Sequence, residues 1–128
     1  MRRISALCLS LMIMGTAANA TTLAAGGLYG GPTQGAALCY FFNAGNGTVS
    51  ISGKQIFREG SGSVALTVDN CFTLVAGGIC RFASTITSGA THACEAVVTP
   101  DGAHVRGTLE IRTNIGPGGT PLQTEQLR

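Results

Sequence analysis

No tryptophan occurs among the 128 residues, aromatics make up 5 % and charged residues only 11 %. Setting Arg2 and Arg3 aside leaves six basic residues (8 − 2 = 6) against six acidic ones. A balanced chain without a basic run lacks the electrostatic footprint of a nucleic-acid binder. The spacings Cys-x-x-Cys and His-x-x-x-His are missing, and the histidines are only His92 and His104. That argues against a zinc clip and against a redox couple at a helix start. No Gly-x-Ser-x-Gly elbow occurs, so the usual hydrolase nucleophile setting is missing as well. Beyond Met14 no apolar run approaches the roughly 20 residues of a membrane-crossing helix, and no stretch carries a sustained 3.6-residue apolar stripe.

What is present begins with "MRRISALCLSLMIMGTAANA". Arg2 and Arg3 precede an apolar run from Ile4 to Met14, and Ala18-Asn19-Ala20 offers a small-x-small cleavage site. This is the tripartite pattern of a secretory signal over residues 1–20, with cleavage expected after Ala20. The expected mature chain is periplasmic or secreted, with no membrane span after cleavage. Residues 21–35, rich in glycine, read as a flexible leader with a strand contribution near Leu28-Tyr29. Residues 36–128 read as one domain.

Cleavage removes Cys8 and leaves four cysteines, Cys39, Cys71, Cys80 and Cys94. An even count in an oxidising compartment favours two disulfides over free thiols. Ala76-Gly77-Gly78 permits a turn inside "CFTLVAGGIC", so Cys71 and Cys80 can meet, and Cys39 then pairs with Cys94. The loop between the clip cysteines is expected to pack Phe72, Leu74 and Ile79 inward.

The rest of the chain reads as short extended segments. "AALCYFFN" is nearly continuous in apolar residues and suits a central strand buried on both faces. "TVSISGKQIF", "VALTV", "ICRFASTIT", "THACEAVVT" and "AHVRGTLEIR" alternate with period two, and "LQTEQL" suits a polar edge strand. Glycine, asparagine and serine turns separate them, with Pro100-Asp101-Gly102 the clearest signal. The expected fold is all-β, an antiparallel immunoglobulin-like β-sandwich of about seven strands, with a small β-barrel as the alternative. The missing tryptophan argues against the Cys…Trp…Cys core of antibody domains.

"FFNAGNGTVSISGKQI" followed by "CFTLVAGGICRF" resembles the immunoglobulin-like modules of the abnormal-spindle/hydin type found in bacterial surface proteins. Asn43-Ala44-Gly45, then Leu74, Gly77 and Cys80, fill that pattern's places, with Cys71 as the partner cysteine. Ala76 stands where the pattern usually has proline, and the Cys39/Cys94 pair lies outside it. The chain is also similar to small bacterial secreted proteins ending in an "RGTLEIR…LR"-like segment. Both resemblances imply the sandwich, and neither implies a catalytic residue.

The polar ridge His104, Arg106, Thr108, Glu110 and Arg112 is the candidate recognition face, suited to an envelope protein or an anionic glycan. The plainer reading is the wet side of an amphipathic strand, which is routine in antiparallel sheets. His92, at a strand start, and His104 read as solvated polar residues, and Glu95, Asp101 and Glu110 as solvent-facing carboxylates. Asn46-Gly47 reads as a tight turn. The expected function is therefore a non-enzymatic, exported structural, adhesive or binding module at the cell envelope. No cofactor or metal is expected. The alternatives are a protease inhibitor presenting the Cys71–Cys80 loop and a pilus-type subunit.

Overall fold

The computed structural model describes residues 19–128; the signal expected over residues 1–20 lies, except for Asn19 and Ala20, outside them. Among the described residues ten strands follow in order: β1 (Thr21–Ala24), β2 (Ala36–Asn43), β3 (Val49–Arg58), β4 (Gly62–Val64), β5 (Val68–Asp69), β6 (Thr73–Leu74), β7 (Ile79–Thr85), β8 (His92–Thr99), β9 (Val105–Arg112) and β10 (Pro121–Leu127). They form two antiparallel five-stranded sheets. One runs β1-β8-β3-β4 with β6 also on β3, and the other runs β10-β9-β2-β7-β5. Among the described residues no helix is long and apolar enough to cross a membrane.

The arrangement is the expected sandwich, with ten strands in place of about seven. The surplus comes from β1, from β6 inside the clip loop and from one divided segment. "VALTV" reads as one alternating strand, yet it divides between the sheets: β4 continues a hairpin from β3, and β5 pairs with β7. Residues 65–67 make the crossing, held because Ser84 Oγ donates to the Ala65 carbonyl (2.6 Å) and Thr67 N to the Ala83 carbonyl (2.7 Å). Inside the segment 21–35, Thr21–Ala24 pairs along β8, and Leu28 makes a single bridge to His92.

The inner faces carry the core. Cys39, Phe41, Phe82, Ile56, Cys94, Val98, Leu109 and Ile111 are all buried. The Phe41 and Phe82 rings stack with centroids 5.8 Å apart. The alternation Val105, Gly107, Leu109, Ile111 sits inward on β9. Gly107 belongs to that inward row because a Cβ there would stand 2.9 Å from the Leu127 Cβ and 3.1 Å from the Phe41 ring. β2 is central, as its composition demands: Ala36 and Leu38 on its outer face are also fully covered, against Ala83, Val68, Tyr40 and Ile115. Cys39 on β2 and Cys94 on β8 form a disulfide that ties one sheet to the other, with Cα atoms 6.6 Å apart. At one edge, Ala24 and Arg128 exchange both backbone hydrogen bonds at 3.0 Å, so β1 and the end of β10 meet there. The two sheets otherwise remain separate, which decides for a sandwich over a closed barrel.

Candidate functional site

The most distinctive surface lies where the chain passes from β6 to β7. Cys71 and Cys80 are bonded, nine positions apart in sequence, with Cα atoms 4.9 Å apart. Between them β6 pairs with the start of β3 (Val49↔Leu74, Ser50↔Thr73), and Phe72 O accepts from Ile51 N at 2.7 Å. A tight turn closes at Gly78 N→Val75 O (2.9 Å), with Gly77 at φ +70°, a conformation that side chains with a Cβ resist. The loop thus starts on one sheet and finishes on the other.

Asn43, at the end of β2 and only 1 % exposed, braces this loop from within. Its Nδ2 donates to the Leu74 carbonyl (3.0 Å) and to the Gly47 carbonyl (2.7 Å), while its Oδ1 accepts from Gly45 N (3.0 Å). Its backbone exchanges bonds with Gly77 N and Gly78 O. One amide side chain therefore fixes both the β2–β3 turn and the clip loop. A second brace comes from Lys54, beside the bulge between Ser52 and Gln55. Its Nζ contacts Asp69 Oδ2 at 2.5 Å, donates to the Cys71 carbonyl at 2.7 Å and lies 3.7 Å from the centre of the Phe72 ring. The cation thereby joins β3, β5 and the clip.

With the backbone so fixed, the side chains of the loop do not all pack away. Leu74 is buried as expected, but Phe72 is 61 % exposed and Ile79 71 %, which corrects the inward packing expected for both. Ile79 stands in the outward phase of β7, opposite the buried Cys80, and Phe72 follows the buried Cys71 ahead of β6 with its ring against the Lys54 ammonium. Val75 (58 %) and Phe42 (41 %) are exposed too. Phe42 and Ile79 are cross-strand partners, and Phe72 and Ile79 each adjoin a bridged cysteine. Phe42 and Ile79 are thus neighbours, and together with Phe72 and Val75 of the same disulfide-closed loop they make up the exposed apolar residues of this end, the tip.

The polar ridge is distributed over several roles. Arg106, Thr108, Glu110 and Arg112 do lie on the outer face of β9. Glu110 and Arg112 are drawn into the fold: Arg112 Nε stands 3.1 Å from Glu110 Oε1, without hydrogen-bonding alignment, and the guanidinium also donates to the Gly119 carbonyl. Arg106 donates to the carbonyls of Ala103 (2.9 Å) and Val105 (3.2 Å) and stays exposed beside Phe42, its register partner. His104 precedes the strand, exposed in the turn beside Ala44, Gly45 and Asn46. Arg81, on β7, is in register with Tyr40, so the outer face carries Arg81 and Arg106 next to the tip.

His92 is the second correction. It opens β8 as expected but is 1 % exposed, between Arg58 and Leu28 in the sheet. Neither ring nitrogen has a hydrogen-bond partner among the described residues. Burial holds its pKa below the usual 6.5, and the Arg58 charge pushes the same way; the nearby Ala90 carbonyl acts in the opposite sense. Glu59, close by on the surface, accepts from Thr91 Oγ1 (2.7 Å), and that bond, followed by the Thr91 amide, lowers its pKa. Gln34 is a further buried polar residue, donating to the Thr87 and Ala90 carbonyls and accepting from Gly30 N.

Hollows in the surface are open and shallow. One of about 600 Å³ is bordered by Thr21, Asp101, Gly102 and Arg106, and one of about 330 Å³ by Phe57, Glu59 and Thr91. The second also borders Arg58 and His92, and the Thr91 hydroxyl at its edge donates to the Glu59 carboxylate. Among the described residues no three His, Cys, Asp or Glu side chains come together as metal ligands. Comparison of the chain with family models, with curated proteins and with solved structures finds no match.

Proposed function

We propose that the chain is an exported, non-enzymatic binding module of the cell envelope, and that the tip of the Cys71–Cys80 loop is its contact surface. The observation that carries this is the exposure of Phe72, Val75, Ile79 and Phe42 on a backbone held by a disulfide, a buried asparagine and a lysine. Exposed apolar residues are ordinary when scattered. Three on one rigid loop with Phe42 beside them on β2, they reduce the ordering cost of binding and supply the apolar contact that recognition uses. The two disulfides accord with a periplasmic or secreted location, and the secretory pattern of residues 1–20 supports the same reading. The resemblance to immunoglobulin-like modules of bacterial surface proteins supports a surface role.

The protease-inhibitor alternative draws on the same exposed loop. It is the weaker reading, because residues 75–78 are folded into a closed turn and do not offer an extended segment to a cleft.

Isolated cell envelopes test the proposal. The purified protein is expected to sediment with them, and Phe72→Ser and Ile79→Ser, alone and combined, are expected to release it while retaining a cooperative unfolding transition. Retention unchanged by both substitutions refutes the tip as the contact surface.

A further inference from the structure

The four apolar side chains of the tip stand out from the molecule, and the hollow beside them, between Tyr40, Asn70, Ile79 and Arg81, measures only about 140 Å³. That is below the size of an ordinary small-molecule pocket. That hollow is too small to receive a partner's side chains, whereas a soft apolar medium accepts the tip's own exposed side chains without a shape-matched socket.

Charge around the tip narrows the medium. In register, Phe42 faces Ile79 on one side and Arg106 on the other, while Tyr40 faces Arg81. Among the described residues the ion pairs are Lys54–Asp69 and Arg112–Glu110. Asp69 and Glu110 are therefore each matched by their own cation, and Arg81 and Arg106 remain without a carboxylate partner. Apolar side chains rimmed by uncompensated guanidinium groups match the boundary of an anionic bilayer, where the former enter the headgroup–acyl region and the latter stay among the phosphates.

We infer that the Cys71–Cys80 tip is a membrane-docking surface: Phe42, Phe72, Val75 and Ile79 enter the interface of an anionic lipid bilayer, and Arg81 and Arg106 bind its phosphates. The inference rests on the binding-module reading and names the occupant of that surface. The clip is what makes the insertion efficient. A flexible loop would lose its freedom on entering the bilayer, whereas this one is already ordered by Asn43, Lys54 and the disulfide.

Flotation with lipid vesicles tests it, using the purified protein and vesicles of phosphatidylethanolamine containing about a quarter phosphatidylglycerol, with pure phosphatidylcholine as the neutral comparison. The protein is expected to float with the anionic vesicles and several-fold less with the neutral ones. Raising salt to about 0.5 M is expected to release it. Combined Phe72→Ser and Ile79→Ser is expected to weaken the partition roughly tenfold or more, and combined Arg81→Gln and Arg106→Gln several-fold. Each variant is accompanied by its unfolding transition, and Ile79→Thr, a smaller change at a residue already exposed, serves if the serine variant does not fold. Failure to float with anionic vesicles, or equal flotation with neutral ones, overturns the inference. Self-association that Ile79→Ser abolishes, without flotation, overturns it in favour of a second copy of the chain. Tip-dependent retention on whole envelopes without flotation overturns the lipid inference alone, whereas loss of both removes the binding-module reading as well.

Discussion

The two disulfides of this molecule connect the same kind of atoms and accomplish different things. Cys39–Cys94 spans 55 positions, joins a central strand of one sheet to a central strand of the other, and is buried among Phe41, Ile56 and Phe82. Cys71–Cys80 spans nine positions and closes a loop whose outer side chains face solvent. The long bridge opposes the entropy of the whole unfolded chain. The short one restricts a local segment and gives a surface its shape. A small domain with one apolar core can place one cross-link in the service of folding and the other in the service of presentation.

The largest expected effect follows from removing the long bridge. Cys39→Ala with Cys94→Ala is expected to lower the unfolding free energy by about 4 kcal/mol, a large share of the net stability of a small domain. Urea midpoints measure it. A loss below about 1 kcal/mol would erase the distinction between the two cross-links.

Next comes the short bridge. Cys71→Ser with Cys80→Ser is expected to cost about 2.5 kcal/mol and, unlike the first pair, to reduce envelope retention at temperatures where the domain is still folded. If both double variants retain binding equally when folded, presentation does not depend on the clip.

Asn43→Ala sharpens the comparison from inside the loop. It leaves the Leu74 and Gly47 carbonyls and the Gly45 amide without their side-chain partner, at an expected cost of about 2 kcal/mol. Faster hydrogen exchange should be confined to the β2–β3 turn and residues 72–79. Uniformly faster exchange through both sheets would place Asn43 in the global core instead.

The smallest effect concerns pH. His92 has a folded pKa below 6.5, so above that value the imidazole is neutral in both states and has no influence on the pH dependence. As pH falls through about 6.5 the unfolded chain takes up the proton first, and stability declines until the folded pKa is reached, below which the curve flattens. Urea midpoints between about pH 7.5 and 5.5 should therefore fall on acidification, and His92→Leu should remove that slope. A slope retained in the variant assigns it to another group.

Much of this architecture is legible in the sequence. Alternation identified the inward rows of β8 and β9, the unbroken apolar run of β2 identified a central strand covered on both faces as far as Leu38 but not at Phe42, and cysteine parity with one glycine turn identified both bridges. Period-two counting assigns residues to a face but not to a sheet, so the crossing at residues 65–67 left no trace in "VALTV". The exposure of Ile79 lies within reach of that counting, since it stands opposite Cys80 on β7, whereas nothing in the local pattern separates the exposed Phe72 from the buried Leu74. His92 falls in the inward phase of β8, and that phase was visible, but polarity suggested solvent where position dictated burial. The bracing of the clip loop by Asn43 and Lys54 depends on Leu74, 31 positions from the first, and Cys71, 17 positions from the second, beyond what local patterns encode. On β9 the ridge residues share a face as their spacing requires, although Glu110 and Arg112 are occupied with each other.

The reciprocal hydrogen bonds between Ala24 and Arg128 have a practical consequence for engineering. They bring β1 alongside the last described residue, so a short peptide can join the two and the chain can be reopened elsewhere. The exposed turn Glu59–Ser61 between β3 and β4 suits the new ends. Such a circular permutant would keep both cross-links and the apolar tip while changing the order in which the strands leave the ribosome, separating the demands of assembly from those of the finished surface.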